Sequence, residues 1–224
     1  MEVKQRLIKK KVKTMNISDL TKQVNSLKKT STGELIKQRM KEFEKNKKAA
    51  NSTLFSELSF CLLTANFDAE KTIKIQRQMG KGFLSLSEKQ LSKKLKGLGH
   101  RFPNTRAKYI VEARKHAKDL KKVLKQFKTD EERRNWLVKN IKGLGFKEAS
   151  HFLRNIGYEN VAIVDFHILD LLEKNNLMQK PKTLSKKRYL EVEEILKKIS
   201  EKTGISLGEL DLYLWFLETG KVLK

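Results

Sequence analysis

Apolar residues recur along most of the chain at intervals of three and four, which is the period of an α-helix. In LFSELSFCLLTANF the recurring positions are Leu54, Leu58, Cys61 or Leu62, and Ala65. A second set with the same spacing comprises Tyr189, Val192, Ile195, Leu196 and Ile199. No run of strict apolar and polar alternation competes with these patterns, so the sequence predicts an all-α fold.

Glycine and proline positions predict where the helices are interrupted. The predicted breaks are at residues 80–82, 97–103, 143–145, 157–160, 180–183 and 204–208. Two of them contain the same motif, KGLG, once around Gly97 and Gly99 and once around Gly143 and Gly145. A chain with only eleven glycines therefore uses the same basic, glycine-containing turn twice.

The charge of the chain identifies its expected partner. Fifty Lys and Arg residues against 26 Asp and Glu give a formal net charge of +24, which a phosphate backbone would balance. A membrane is not expected, because we find no spanning apolar stretch, signal peptide or lipidation motif. A Lys-rich thermophilic surface is the alternative explanation of this charge. Such surfaces are enriched in Glu together with Lys, whereas here the acidic residues are far fewer than the basic ones. The basic segment KQRLIKKKVKT at residues 4–14 either frays or lies along a phosphate backbone.

The single cysteine, Cys61, excludes an intrachain disulfide, a zinc ribbon and a four-thiolate iron–sulfur cluster. Its position in the apolar run FCLL predicts a small core residue. The sequence thus leads us to expect a cytoplasmic, nucleoid-associated monomer that needs no metal and no cofactor.

The second KGLG lies in ERRNWLVKNIKGLGFKEASHFLRNIG, which predicts a helix, a turn and another helix. Gly143 and Gly145 would let the backbone approach a phosphate closely, and the N-terminus of the following helix would attract the anion. Lys142 adds positive charge. An ordinary αα-hairpin with a glycine cap has the same local pattern, and the surrounding charge favours the DNA-binding form.

Lys147 lies in the first turn of the helix that follows this hairpin, where a cation opposes the helix dipole. It is therefore either a functional lysine or one more surface cation. Asp165, in NVAIVDFHILDLL, follows eighteen residues later and is predicted to cap the helix FHILDLLEKN. A capping carboxylate is held rigidly and ionised, so the cap is compatible with a second role in chemistry.

These residues carry a family resemblance. GLGFKEAS followed by IVDFH resembles the hairpin, catalytic lysine and catalytic aspartate of the helix-hairpin-helix DNA glycosylases, the endonuclease III superfamily. Three further runs resemble the small archaeal-type branch of 8-oxoguanine DNA glycosylase/lyases; they are LSFCLLTANFDAEKTIKIQ, KGLGHRFPNTRAKYI and LDLYLWFLETGKVLK. The resemblance covers residues 51–224 approximately. The branch of endonuclease III itself is excluded, because its iron–sulfur cluster needs four cysteines and this chain has one.

The resemblance implies an all-α, two-lobed fold with the DNA and the catalytic residues at the cleft between the lobes. Residues 68–165 would form a helical barrel with the hairpin, and residues 1–67 and 166–224 would join in the other lobe. It also implies a mechanism. Lys147 attacks C1′ of a flipped-out nucleotide, expels 8-oxoguanine and forms a Schiff base, and β-elimination then nicks the strand. Asp165 stabilises positive charge on the sugar and orients or deprotonates the lysine.

Pocket residues also follow from the resemblance. Phe102 and Trp215 would stack on the two faces of the oxidised guanine, although either aromatic ring could simply pack in the core. Lys224 would reach the flipped base through a carboxylate at the end of the chain, which is a good acceptor for guanine N–H donors. A short basic tail that frays is the alternative.

Three residues are expected at the DNA. Arg101 and Asn66 would fill the gap left by the flipped base or contact its orphaned partner, and His167 would contact a phosphate. Each has an ordinary alternative as a surface, capping or packed residue. Two other functions remain open: a glycosylase for another damaged base, and a non-catalytic helix-hairpin-helix module that binds DNA.

Overall fold

The computed structural model describes residues 16–224, and the basic segment 4–14 lies outside them. Within the described residues the protein contains thirteen α-helices, one short 3₁₀-helix at Arg114–His116 and no β-strand, so the predicted all-α fold is confirmed. The helices are α1 (Ile17–Leu27), α2 (Ser31–Lys48), α3 (Asn51–Thr64), α4 (Ala69–Met79), α5 (Gly82–Ser85), α6 (Glu88–Gly97), α7 (Pro103–Ala113), α8 (Leu120–Lys125), α9 (Asp130–Asn140), α10 (Phe146–Asn155), α11 (Phe166–Lys174), α12 (Lys186–Thr203) and α13 (Leu207–Thr219). None of them is both long and apolar enough to cross a membrane.

Helix α3 is the centre of a first hydrophobic core. Its apolar side chains point in all directions and are buried, which is the pattern of a helix surrounded by others. Helices α4, α7, α8 and α10 pack around it. Cys61 is fully buried here, as its sequence context predicts, and burial raises the pKa of its thiol.

A second core is formed by the two ends of the described chain. It contains side chains of α1 and α2 together with those of α11, α12 and α13, and the segment 162–164 contributes Ala162 and Val164. The chain thus leaves the second core after α2, builds the first core, and returns after α10. The lobe boundaries at residues 67 and 165 remain a prediction; the side chains of α3 belong to the first core.

All six predicted breaks fall at helix ends or between helices. The first KGLG lies between α6 and α7, and the second lies between α9 and α10. Pro103 is the first residue of α7, a position that tolerates proline because its missing N–H would be unpaired there. Arg101 and Phe102 consequently lie in the loop between the two helices, as predicted.

Candidate active site

The second KGLG forms the predicted hairpin between α9 and α10. Gly143 has a φ of 87°, in the left-handed region, and a Cβ at this position would overlap the ring of Tyr109. Both observations require glycine. Gly145 is the N-cap of α10, and its backbone N–H donates to Glu148 Oε2 at 3.2 Å. Glu148 therefore supplies the favourable negative charge of the first turn.

Lys147 is the second residue of α10 and is half-buried. Its side chain is therefore only partly accessible to solvent. Glu148 interacts favourably with the dipole of α10, whereas the adjacent Lys147 interacts unfavourably with it. The position of Lys147 is thus not explained by the stability of α10.

Asp165 is the N-cap of α11, as predicted, and its Oδ1 accepts a hydrogen bond from the Ile168 N–H at 3.0 Å. The preceding residues 161–164 are buried, which fixes the start of the helix. The next side chain, Phe166, is 61% exposed, an unusual environment for a phenyl ring.

A cavity of about 930 Å³ lies between elements of the two cores and contains both Lys147 and Asp165. Its size is that of a site for a small organic ligand. Seven of the eleven residues that we singled out from the sequence line it, namely Lys147, Asp165, Trp215, Lys224, Arg101, Asn66 and His167. Lys142, Gly143 and Gly145 belong to the hairpin outside the cavity, and Phe102 does not line it either.

Phe102 is held beside the cavity by its loop. Its backbone N–H donates to His100 Nδ1 at 3.0 Å, so the other ring nitrogen of His100 carries the proton and donates to the Leu63 carbonyl at 3.0 Å. Burial lowers the pKa of His100, in agreement with a neutral ring. The guanidinium groups of Arg101 and Arg106 lie 5.0 and 5.8 Å from the Phe102 ring centre.

Asn66 stands in the turn between α3 and α4 with a φ of 57°. Asparagine tolerates this left-handed conformation better than most residues, and such strained positions cluster at functional sites. The Asn66 side chain is exposed and lines the cavity. On the opposite wall, the His167 ring lies edge-on to Trp215 at a centroid distance of 6.0 Å.

His151 was not singled out as a site residue, yet it lines the cavity one helical turn after Lys147. It is buried against Phe60, with the two rings 5.6 Å apart at 84°, and neither ring nitrogen has a hydrogen-bond partner among the described residues. Burial and the charges of Arg154 and Lys147 hold its pKa well below the usual range. The spacing of four residues places both side chains on one helix face, a signal present in the sequence.

Asp211 on α13 is another acidic residue of the cavity, and the sequence analysis did not identify it. It forms a buried ion pair with Arg154 of α10. The pKa of Asp211 is raised to about 6, mainly by burial and to a smaller extent by the negative charge of Asp165, against the lowering effect of Arg154. The positive charge of Lys147 lowers it. The Lys147 amine, the Asp165 and Asp211 carboxylates and the neutral His151 imidazole are therefore among the groups that line one partly enclosed space.

The site thus offers an amine nucleophile, an ionisable partner for it and aromatic surface for a planar ligand. No group of three or more His, Cys, Asp or Glu residues in the described part of the chain is arranged to hold a metal ion.

Comparison with known proteins agrees with this arrangement. A family model for 8-oxoguanine DNA glycosylase matches residues 36–205. The 8-oxoguanine DNA glycosylase/AP lyase of Korarchaeum cryptofilum is 54% identical over 211 residues, which cover 94% of this chain and 100% of the relative. The enzyme of the same name from Methanocaldococcus jannaschii is 51% identical over 206 residues, covering 92% and 99% of the two chains.

Solved structures give the same result. The M. jannaschii 8-oxoguanine glycosylase/lyase in complex with a 15mer DNA containing 8-oxoguanine superposes with a TM-score of 0.89 at 50% identity, over 92% of this chain and 99% of that one. The 8-oxoguanine DNA glycosylase of Thermotoga maritima superposes with a TM-score of 0.87 at 46% identity, over 93% and 100%. The chain therefore belongs to the 8-oxoguanine DNA glycosylase family and has the two-lobed helix-hairpin-helix fold of these glycosylases.

Proposed function

We propose that this protein is a bifunctional base-excision-repair enzyme that removes 8-oxoguanine from double-stranded DNA and then nicks the abasic strand. The observation that carries the proposal is the placement of half-buried Lys147 and the capping carboxylate of Asp165 in one cavity. Relatives at 54% and 51% identity named 8-oxoguanine DNA glycosylase/AP lyase support the choice of lesion.

Binding begins with the phosphate backbone, which the net charge of +24 attracts. The hairpin at Gly143 and Gly145, with exposed Lys142 beside it, is proposed to hold one strand near the site. The damaged nucleotide then leaves the base stack, because its glycosidic bond is out of reach within the duplex. Arg101, Asn66 and His167, at the cavity, are proposed to contact the DNA around the vacated position.

The flipped base is proposed to enter the cavity and stack on Trp215. A neutral imidazole at His151 can donate one hydrogen bond and accept another, so it suits a base edge that carries both kinds of group. Phe102 lies beside the cavity in this structure, so its predicted role on the other face of the base requires the 97–103 loop to shift when DNA binds. Lys224, which also lines the cavity, remains a proposed contact of the flipped base.

Chemistry follows at the sugar. The neutral amine of Lys147 attacks C1′, the bond from C1′ to the base breaks, and a proton moves from the amine to the departing base. Ring opening gives a Schiff base between Lys147 and C1′. Loss of a proton from C2′ then expels the 3′ phosphate, which nicks the strand. Asp165 stabilises the positive charge that develops on the sugar.

Borohydride trapping tests the proposal directly. With a duplex that contains 8-oxoguanine, borohydride reduces the Schiff base and should leave the protein covalently attached to DNA through Lys147. Lys147→Gln should abolish both the adduct and the strand nick while DNA affinity stays nearly unchanged, since one of many cationic contacts is lost. Peptide mapping of the adduct identifies the attacking residue.

Lys198→Gln is the matched control, because it removes one exposed lysine from α12, a helix that does not line the cavity. It should trap like the wild type. A panel of duplexes with oxidised pyrimidines and alkylated purines distinguishes the proposed lesion from others. Trapping that survives Lys147→Gln contradicts the assignment of the nucleophile. That the enzyme acts as a cytoplasmic, nucleoid-associated monomer remains a prediction from the sequence.

A further inference from the structure

The side-chain ammonium of Lys224 lies in a polar cluster between α3 and α4, at the edge of the cavity. Its Nζ donates to Glu57 Oε1 at 2.7 Å and Oε2 at 3.0 Å, and to Gln76 Oε1 at 2.5 Å. The same ammonium lies 4.3 Å from the centre of the Phe60 ring. Three acceptor oxygens and an aromatic face therefore surround one lysine head group.

Glu57 is the centre of this cluster. Besides Lys224, it accepts hydrogen bonds from Gln76 Nε2 at 3.0 Å and from Asn155 Nδ2 at 3.1 Å. The residue is only 8% exposed, and the Lys224 side chain is 17% exposed. A carboxylate this deeply buried needs a cation, so the pair is costly to separate.

Glu57 lies on a rigid part of the fold. Glu57 stands in the middle of α3, the helix at the centre of the first core, and is the only charged residue in that helix. Its neighbours Leu58 and Phe60 are fully buried, so the backbone that carries the carboxylate has little freedom. A partner bound to Glu57 is thereby fixed relative to the first core.

The partner lies on a segment with little support of its own. Helix α13 ends at Thr219, and Gly220 turns the chain with a φ of 72°. Residues 221–224 are not helical, and segments of this kind fray unless they are tied down. Apart from Lys224, partly buried Val222, which packs against the second core, and an exposed ion pair between Lys221 and Glu70 hold them, and an exposed pair contributes little.

This segment nevertheless forms part of the cavity. Lys221, Leu223 and Lys224 line it together with Lys147 and Trp215. The main chain of Lys224 lies near the His151 ring and raises the pKa of that ring, a smaller effect than the lowering caused by burial. Residues 221–224 are thus a wall of the space that the flipped base would enter.

We propose that Glu57 is a positioning residue for damage recognition: by binding the Lys224 ammonium it holds residues 221–224 as a wall of the base cavity. The inference rests on the proposed function for the identity of the base. Glu57 does not touch the sugar chemistry at Lys147, so it acts on release of the base and not on cleavage at an abasic site.

The test compares two activities in the full chain. Glu57→Gln and Lys224→Met each break the ion pair, and Lys224→Met keeps the main chain of the segment. Either change should slow release of 8-oxoguanine on the order of tenfold to a hundredfold, as expected when a contact surface shifts by about an ångström. Nicking of a preformed abasic site should stay within about twofold of the wild type.

Three further arms separate positioning from general effects. Glu218→Gln changes the net charge by the same amount as Glu57→Gln. It breaks an ion pair between Lys174 and Glu218, 2.5 Å apart and outside the cavity, so it should leave both activities unchanged. The double variant Glu57→Gln/Lys224→Met should be no slower than Lys224→Met alone, because both changes remove one interaction. Amide hydrogen exchange in residues 221–224 should rise on the order of tenfold in Glu57→Gln, in Lys224→Met and in the double variant, and should stay unchanged in Glu218→Gln.

The inference is overturned if both activities fall together, if neither falls, or if the effects of the two substitutions multiply. If Glu57→Gln does not fold, Lys224→Met alone tests the inference, because Lys224 lies at the margin of the core. A wild type that releases no 8-oxoguanine would defeat the proposed function instead, and hydrogen exchange would still show whether Glu57 anchors the segment.

Discussion

Asp165 combines a structural and a proposed chemical role in one carboxylate. One oxygen caps α11 through the Ile168 N–H, which orders the side chain, and Asp165 lines the cavity together with Lys147. The cap needs an acceptor oxygen at this position, whereas stabilisation of a cationic sugar needs a negative charge. The two requirements can therefore be separated by substitution.

Asp165→Asn should keep the cap and lose the charge. Asparagine is as good an N-cap as aspartate, so the free energy of unfolding should change by less than about 1 kcal/mol. The rate of 8-oxoguanine release should fall at least about a hundredfold, because the charge that stabilises the transition state is gone. Urea unfolding measures the first quantity, and single-turnover base release measures the second.

Asp165→Ala serves as the comparison, because it removes cap and charge together and should cost about 1 kcal/mol more. Normal base release in Asp165→Asn would remove Asp165 from the chemistry and leave it only as a cap.

The sequence predicted individual site residues unevenly. Lys147 stood out because a cation in the first turn of a helix is unfavourable, and the cap at Asp165 is a local pattern that one sequence displays. His151 and Glu57 also have signatures in the sequence. His151 follows Lys147 by four residues on the same helix, and Glu57 is the lone charged residue of an apolar helix. Phe102 is held by a hydrogen bond to His100, and the His100 ring is fixed in turn by the distant Leu63 carbonyl, a contact that no local pattern encodes.

At the scale of elements, the two KGLG turns have the same sequence but different surroundings. Gly99 and Gly143 both adopt positive φ, 78° and 87°. A Cβ on Gly99 would meet nothing within 4 Å, whereas one on Gly143 would overlap the ring of Tyr109. The first turn therefore uses glycine for its conformation alone, and the second uses it also for close packing of the hairpin against α7.

Alanine substitution should separate these two uses. Gly99→Ala should destabilise the protein by about 1 kcal/mol, the cost of placing a Cβ in the left-handed region. Gly143→Ala should cost about 1–3 kcal/mol more, since the hairpin or Tyr109 must also move. It should also weaken DNA binding, because the displaced turn is the proposed phosphate contact. Equal losses of stability in the two variants would show that Tyr109 adapts freely.

Helix ends with glycine or proline were predicted well, and others were missed. The breaks around Ala49 and Ala50, and between α8 and α9, contain neither residue. Helix α9 instead starts with a capping box, in which Thr129 and Glu132 satisfy each other's backbone N–H groups. That signal is visible in the sequence as TDEE. The loss of helix at Ala49 and Ala50 has no local signal in the sequence; in the structure the carbonyls of Lys48 and Ala49 accept hydrogen bonds from the distant Lys121 Nζ, at 2.9 and 3.1 Å.

At the scale of the whole molecule, two buried ion pairs join the two cores. Arg134 of α9 donates to both carboxylate oxygens of Glu193 on α12, at 2.7 and 2.8 Å, with each side chain 1% exposed. Arg154 of α10 pairs with Asp211 of α13. Each pair connects a helix whose apolar side chains lie in the first core with one from the second. The pairs thus fix the relative position of the walls that carry Lys147 and Trp215.

Arg134→Met should be among the most destabilising single substitutions in the protein. It leaves Glu193 buried without its cation, which costs about 3–5 kcal/mol. The double variant Arg134→Met/Glu193→Leu should recover part of that loss, because apolar side chains of similar volume replace a buried pair at little cost. Recovery should be incomplete, since Glu193 also accepts a hydrogen bond from the Ala162 N–H at 2.7 Å. Urea unfolding of the three proteins measures these differences.

An exposed pair on the same helix provides the matched control. Arg188 and Glu191 on α12 are 60% and 44% exposed, so Arg188→Met should change stability by less than about 1 kcal/mol. A double variant as unstable as Arg134→Met would mean that the loss comes from packing of the arginine against Phe146 and Tyr189, whose ring centres lie 4.9 and 5.5 Å from its guanidinium carbon. Recovery would instead show that the two cores are held in register by charge pairing. In that case the folded double variant should release 8-oxoguanine more slowly than the wild type, because Lys147 and Trp215 would no longer keep a fixed separation.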